Sequence, residues 1–425
     1  MKRNFVAICL GVTISLPAAA QTVEPAKSFK ETEQILHQLV DTEGFPGAVA
    51  LLGEKDCDST WYELGHLSHV PASPAATKDS LWRIYSMTKP ITGIAAMMLI
   101  EDGKLGLDQP ISDFIPAFRS SQVLLDPASD LTTRPAARPI TVRHLLTHTS
   151  GLGYAFVLPP ALRASYEQAG LVPMQYSFTG EAEDAPRRPK SLQQFAEAAA
   201  RQPLLSDPGT SWTYSISVDV LGAVIEKASG MPFERFLEKR LFGPLRMTHT
   251  HWTVSAQDTA NLSSTYAYAG FLKVAIDPGN KSVFSRAPSF AYGGSGLVSS
   301  AEDYDRFLRM IENGGTFEGR RVMKADTVRM ALSDLLPAGV KFDGLEPPAS
   351  DGVPTRYGFG AGGMVTLSGP SAGTFGWDGA AGTVGFVNPQ KGYRGILMVS
   401  QIGDAPGSAR THFRATAERE LLSAR

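Results

Sequence analysis

The chain predicts an α+β fold: a mixed antiparallel sheet, contributed by both chain ends and flanked by helices, with an inserted, mostly helical lobe between them. Two observations carry that expectation. Strand-like runs occupy residues 47–68 and again the C-terminal third, while helical apolar spacing and aperiodic segments fill the stretch between. With 425 residues, 43% of them hydrophobic, there is enough apolar surface for an extensive core and two lobes. The sheet lobe is expected over about residues 28–107 and 300–425 and the helical lobe over about 108–299, all within one catalytic unit.

The N-terminus reads as an export signal. Lys2 and Arg3 precede an apolar run from Phe5 to Leu16, and "PAAA" leads to cleavage after Ala20. The run is shorter than the roughly 20 residues a membrane-spanning helix needs, and no later stretch is apolar enough to span. A periplasmic or secreted protein is the expectation. Cleavage removes Cys9 and leaves Cys57 as the single cysteine, so no internal disulfide can form. Cys57 lies in "EKDCDSTW", an acidic setting unsuited to a nucleophilic thiolate. The formal charge is -2 and the longest basic cluster is "PRRPK", so neither nucleic acid nor an anionic membrane surface is suggested as a partner.

"SFKETEQILHQLV" (residues 28–40) places Phe29, Leu36, Leu39 and Val40 on one side of a helix. "GAVALLG" and "WYELGHLS" follow as a hairpin around "KDCDST". After the extended "LWRIYS", Ile91, Ile94, Ala95, Met98 and Leu99 recur at i, i+3, i+4, i+7 and i+8, a helix with one wide apolar face that Gly103 ends. "ITVRHLLTH" reads as a short helix, and further helices are expected over residues 191–201, 218–228, 233–242, 301–312 and 325–332. Residues 153–190 and 255–288 show no clear period; aperiodic stretches this long usually serve as functional loops. They carry Tyr154, Phe156, Tyr166, Tyr176, Phe178, Tyr266, Tyr268 and Phe271. "YGFGAGGMVTL", "GTVGFVNP" and "YRGILMVSQ" read as strands, and "SARTHFRATAERELLSAR" as a closing helix.

Three stretches bear chemistry. In "IYSMTKPITG", Ser86 and Lys89 form Ser-x-x-Lys, a pattern expected about once by chance in a chain of this composition. Pro90 is tolerated only in the first turn of a helix, which puts the helix start near Ser86. There the serine oxygen meets unpaired N–H groups and the positive end of the helix dipole, and Lys89 lies one turn on, on the same face. A hydroxyl becomes a nucleophile only when a base takes its proton. Either burial makes Lys89 that base, or its charge holds a second base as an anion. The same residues would also suit an N-cap serine with a surface lysine in the first turn.

A second base is available in "PGTSWTYSISVDVLG", where Tyr214 precedes an apolar helical pattern; a half-buried packing tyrosine fits there equally well. "GTFGWDGAAGT" supplies small residues ahead of a strand, where a ligand can approach the backbone, or simply a glycine-rich hairpin.

These pieces, in this order, resemble the serine penicillin-recognising enzymes: class C β-lactamases, DD-peptidases and β-lactamase-like carboxylesterases. "LLTHTSGL", "FGPLRMTHT" and "GGSGLVSSAEDYDRFL" extend the likeness from about Ser28 to about Ile402. The resemblance implies a β-lactamase/transpeptidase-like fold with the site in the cleft between the lobes. It carries the nucleophile to Ser86, the lysine role to Lys89, the tyrosine role to Tyr214, and the oxyanion donors to the N–H groups of Ser86 and Ala380. His148 in "THTSG" then reads as a framework residue, since lysine and tyrosine already fill the base role.

Two departures from the β-lactamase and peptidase pattern bear on the substrate. The tyrosine motif ends in Ile216 instead of asparagine, and the strand motif reads Trp377-Asp378-Gly379 instead of starting with lysine. A tryptophan here is what the β-lactamase-like esterases generally show. Loss of charge-assisted hydrogen bonds, about 1.5–3 kcal/mol each, weakens an anionic substrate and costs an uncharged ester little. Ile216, Trp377, Asp378 and Gly379 are expected at the substrate, and the aromatics of the middle segments are expected to line an acyl or alcohol pocket. The expectation is a secreted carboxylesterase working without a cofactor or metal on a small-molecule ester. A β-lactamase or D-amino-acid peptidase or amidase on the same fold is the alternative, followed by a catalytically silent binding protein.

Overall fold

Seven strands form one antiparallel sheet whose members come from the two ends of the chain. In the computed structural model, which describes residues 27–128, 130–269, 272–343, 354–403 and 407–423, they are β1 (Gly47–Glu54), β2 (Thr60–Gly65), β3 (Tyr357–Phe359), β4 (Met364–Thr366), β5 (Phe375–Asp378), β6 (Val384–Asn388) and β7 (Tyr393–Met398). Their spatial order is β3-β4-β5-β6-β7-β1-β2. The ends meet where β1 pairs with β7, Val49 opposite Met398 and Leu51 opposite Ile396. The export signal expected at residues 1–20 lies outside the described residues, and among those described no helix is long and apolar enough to cross a membrane.

β1 is apolar along its whole length because both of its faces are covered. Ala48, Ala50 and Leu52 pack on an outer layer with Leu36 of α1 (Lys30–His37), Phe29 just ahead of it, and Phe413, Ala417 and Leu421 from the closing helix. Val49 and Leu51 face the inner core with Ile91, Ile94 and Met98 of α2 (Thr88–Glu101). The expected single apolar face of α2 needs correction: every residue from Thr88 to Leu99 is buried. The helix packs against Ser217–Ser229, Ala325–Ala331 and β5 and is covered around its circumference, which is why small residues and polar Thr92 share it with Ile and Met.

The stretches expected as loops also hold structure. Pro160–Gln168 and Phe178–Asp184 are short helices, and Thr265–Ala269 pairs with Leu272–Asp277 as an antiparallel hairpin that Gln401–Ile402 extends in parallel. Tyr268, Leu272 and Val274 on that hairpin are exposed, so its pattern lacks the clean apolar alternation of a half-buried strand.

In the short helix α3 (Val142–Leu146), Thr141 Oγ1 accepts from the His144 N–H at 3.4 Å and His144 Nδ1 accepts from the Thr141 N–H at 3.1 Å, a closed capping box. The ring nitrogen must be unprotonated to accept. Burial pushes the His144 pKa down to about 4, with Asp108 opposing and Arg138 and Arg143 assisting. A folded-state value below that of the unfolded chain, about 6.5, gives stability that is complete above pH 6.5 and lost as pH falls toward 4. His144→Gln is therefore expected to flatten the fall of unfolding free energy over that window by up to about 3 kcal/mol. Urea unfolding at a series of pH values checks this, and an unchanged slope contradicts it.

Candidate active site

The approach to Ser86 is held from behind. Trp82–Arg83 pairs with Val298–Ser299, and the buried Arg83 donates to Asp277 Oδ2 at 2.8 Å, to Ser282 Oγ at 2.8 Å and to the Ser263 carbonyl. Tyr85 then takes a φ of +40°, a left-handed conformation that a residue with a Cβ adopts only when its surroundings impose it. A 3₁₀ turn over Tyr85–Met87 leads into α2, with Pro90 in its first turn. The regular helix thus begins two residues after the serine, which stands on the turn at its head. From Leu81 to Pro90 only Ser86 is not buried.

Lys89 is fully buried, and its Nζ donates to Ser86 Oγ at 2.9 Å and to the Gly294 carbonyl at 2.8 Å. Tyr214 reaches the same serine from the segment before α4 (Ser217–Ser229), its Oη 2.7 Å from Ser86 Oγ. The Thr213 N–H donates to the His148 carbonyl, the Tyr214 carbonyl accepts from the Tyr154 N–H, and His148 Nδ1 faces the Ser215 N–H at 3.2 Å and Ser215 Oγ at 2.9 Å. Burial, and secondarily the charge of Lys89, push the His148 imidazole well below its ordinary value, so it is neutral and acts here as a hydrogen-bonding brace for the tyrosine segment.

From the sheet, Trp377 Nε1–H donates to Tyr214 Oη at 3.1 Å. Past it, β5 ends against the turn that carries the serine: a Cβ on Gly379 would lie 2.5 Å from the Ile84 carbonyl oxygen, so only glycine permits the approach. Nearby N–H groups are already engaged, Gly379 with the Thr383 carbonyl at 2.8 Å and Met87 with the Ile84 carbonyl at 2.9 Å.

Ser86, Tyr214, Trp377, Asp378, Gly379 and Ala380 line one cavity of about 270 Å³, with Lys89 directly behind Ser86. Ile216, expected at the substrate, is not among them. It is fully buried in the main core, because the residue at the head of α4 turns inward toward α2. Asp378 is exposed at the rim. Tyr154 and Phe156 stack at 5.3 Å between ring centres and flank Tyr214, whereas Tyr166 and Tyr266 are buried and Tyr268 lies on the exposed hairpin. Phe271 and the side chain of Phe178 lie outside the described residues. Sequence reasoning missed Met364 and Arg414, both on the cavity wall. Arg414 comes from the closing helix α5 (Phe413–Ser423), with its Nε 3.6 Å from Glu418 and its guanidinium over the Phe386 ring.

A serine whose oxygen meets an amine and a phenol, at the head of a helix and open to a largely apolar cavity, is equipped for nucleophilic acyl chemistry. Among the described residues no cluster suited to a metal ion occurs.

Residues 32–419 match the family model Beta-lactamase. Protein Rv1367c of Mycobacterium tuberculosis is 33% identical over 82% of this chain and 84% of its own. Esterase EstB of Burkholderia gladioli is 27% identical over 91% of this chain and 94% of its own. Among solved structures, unliganded simvastatin synthase of Aspergillus terreus superposes with a TM-score of 0.70 at 21% identity, covering 93% of this chain and 98% of that one, a likeness of fold.

The clamp behind Ser86 has a measurable energy. Removing one partner of a buried ion pair strands the other, at a cost of about 3–5 kcal/mol. Asp277→Ala is expected to lose that much unfolding free energy in urea titrations, and the double variant Arg83→Met/Asp277→Leu to recover most of it. A loss below about 1 kcal/mol in the single variant contradicts the clamp.

Proposed function

The chain belongs to the β-lactamase family, and on that premise we propose that it is an exported serine carboxylesterase, cleaving uncharged small-molecule esters through an acyl-Ser86 intermediate. One observation carries the reading most directly: Tyr214 Oη stands 2.7 Å from Ser86 Oγ while accepting the Trp377 indole N–H at 3.1 Å. Tryptophan supplies the donor to the tyrosine without placing a cationic side chain at that point of the cavity. The relationship to an esterase supports the same reading.

In the first step Ser86 Oγ attacks the ester carbonyl carbon as its proton passes to Tyr214 Oη. Lys89 Nζ and the Trp377 N–H offset the negative charge the phenol oxygen carries before it takes the proton. The N–H groups of Ser86 and Ala380 receive the oxyanion. The carbon–oxygen bond to the leaving group breaks, the alkoxide takes the proton from Tyr214, and the acyl group stays on Ser86. Water then gives a proton to Tyr214 and attacks the acyl carbon; the acid departs as Ser86 regains its hydrogen. The apolar surface of Met364 and Trp377 suits the acyl or alcohol portion. Asp378 at the rim opposes an anionic substrate; Arg414 and Arg410 stand near it, and Glu418 beside Arg414 offsets part of their charge.

The purified protein is expected to hydrolyse p-nitrophenyl butyrate, with little turnover of nitrocefin or of a D-Ala-D-Ala peptide. Fast nitrocefin turnover with a dead ester assay would make it a β-lactamase instead. A fluorophosphonate probe is expected to label wild type and not Ser86→Ala. Trp377→Phe keeps the ring and removes the donor, and is expected to lower kcat by about 10- to 100-fold with KM little changed; an unchanged kcat contradicts the role given to the indole.

A further inference from the structure

A buried carboxyl lies behind Lys89 with no part in the steps above. Asp219, in the first turn of α4, has no solvent exposure, and its Oδ1 accepts the Gly294 N–H at 2.8 Å. The carbonyl of that same Gly294 accepts from Lys89 Nζ at 2.8 Å. Asp219 Oδ2 and the Tyr154 hydroxyl face each other, neither with a further partner among the described residues, and converge on the Gly294 Cα: an added Cβ would sit 2.6 Å from one and 2.8 Å from the other. Lys89 Nζ lies 5.1 Å from the centre of the Tyr154 ring and 4.6 Å from that of Tyr214. Glycine at 294 is therefore the joint between a buried acid and the amine that touches the nucleophile.

We propose that Asp219 is a positioning residue for the Ser86–Lys89–Tyr214 centre: its carboxylate anchors Gly294 so that the glycine carbonyl holds Lys89 Nζ against Ser86, and its negative charge balances that of Lys89. The inference rests on the acyl-serine reading above and adds a switch to it. When Asp219 takes a proton, the charge balancing Lys89 is lost and the bond to the Gly294 N–H is no longer charge-assisted, which loosens the carbonyl that holds Nζ.

Among the described residues, the charged and titratable groups facing Asp219 are Lys89 from α2 and Tyr154 from the loop after α3, with Tyr214 next to Tyr154 and the Gly294 N–H on the carboxylate. Burial pushes the carboxyl up to about 7, while the charge of Lys89, the N–H groups of Gly294 and Asp219 and the Tyr154 hydroxyl pull the other way. Asp219 thus changes charge close to neutral pH, where a buried acid can register as an acid limb of the rate profile.

The test is the pH dependence of kcat/KM toward p-nitrophenyl butyrate, from about pH 5 to about pH 9, in wild type, Asp219→Asn and Tyr154→Phe. Asparagine keeps the size and the acceptor for Gly294 but cannot ionise. Wild type is expected to show an acid limb centred near pH 7. Asp219→Asn is expected to lose that limb and to run about 10- to 100-fold slower in kcat, with KM changed less than about twofold. Tyr154→Phe removes a donor to the carboxylate and is expected to move the limb to higher pH. A folded Asp219→Asn with the wild-type limb and rate overturns the proposal. If that variant does not fold, Tyr154→Phe decides: a shifted limb supports the proposal and an unmoved one overturns it. Fluorophosphonate labelling separates the two levels. Wild type that is not labelled at Ser86 removes the acyl-serine reading and this inference together, whereas normal labelling with an unmoved limb removes this inference alone.

Discussion

A lysine amine with no access to water sits at the centre of the molecule, and the arrangement around it follows from the need to surround it with acceptors and compensating charge. Burying such a group unpaired is costly enough that proteins do so only with partners supplied. Here Lys89 has Ser86 one turn back on its own helix, the Gly294 carbonyl from a loop of the helical lobe, and two tyrosine rings beside it. The helix that carries it is buried from Thr88 to Leu99, packed against α4, the helix Ala325–Ala331 and β5.

The same enclosure shapes the turn that carries Ser86. Tyr85 is kept in an unfavourable conformation at the bend before Ser86, and the Arg83–Asp277 clamp ties that bend to the hairpin of the middle segment. From the opposite side, glycine at 379 lets the end of β5 rest against Ile84, with Ala380 on the wall of the Ser86 cavity and the Trp377 indole against Tyr214 Oη. Three chain segments far apart in sequence thus meet in one hydrogen-bond chain, Lys89 and Tyr214 at Ser86 Oγ and Trp377 at Tyr214 Oη. Such fixed polar surroundings favour developing charge without reorganisation at the moment of reaction.

Much of this was legible in the sequence where local physics decides. The capped helix starts and the continuous apolar run of β1 carry their own signals, and Pro90 placed the helix head near Ser86. Tyr214 and Trp377 were legible through the resemblance of their motifs to the family, and the structure places both at hydrogen-bonding distance in the Ser86 network. What escaped depends on long-range contact. The enclosure of α2 requires knowing that both lobes cover it. Ile216 turns into the core although its motif position suggested the cavity, and the Thr265–Ala269 hairpin is too exposed to show a clean alternation. Arg414 reaches the cavity from the last helix, and Asp219 meets Lys89 only through a glycine 75 residues further along. No window of neighbouring residues contains either relationship.

The most direct measurement is the location of the acyl group during turnover. Protein mixed with p-nitrophenyl butyrate, quenched in acid within the first turnovers and mapped by peptide mass spectrometry is expected to carry a butyryl group on Ser86, at much lower occupancy in Tyr214→Phe. A butyryl group on another residue, or equal occupancy of Ser86 with and without the Tyr214 hydroxyl, would contradict the assignment of Ser86 as a nucleophile served by that tyrosine.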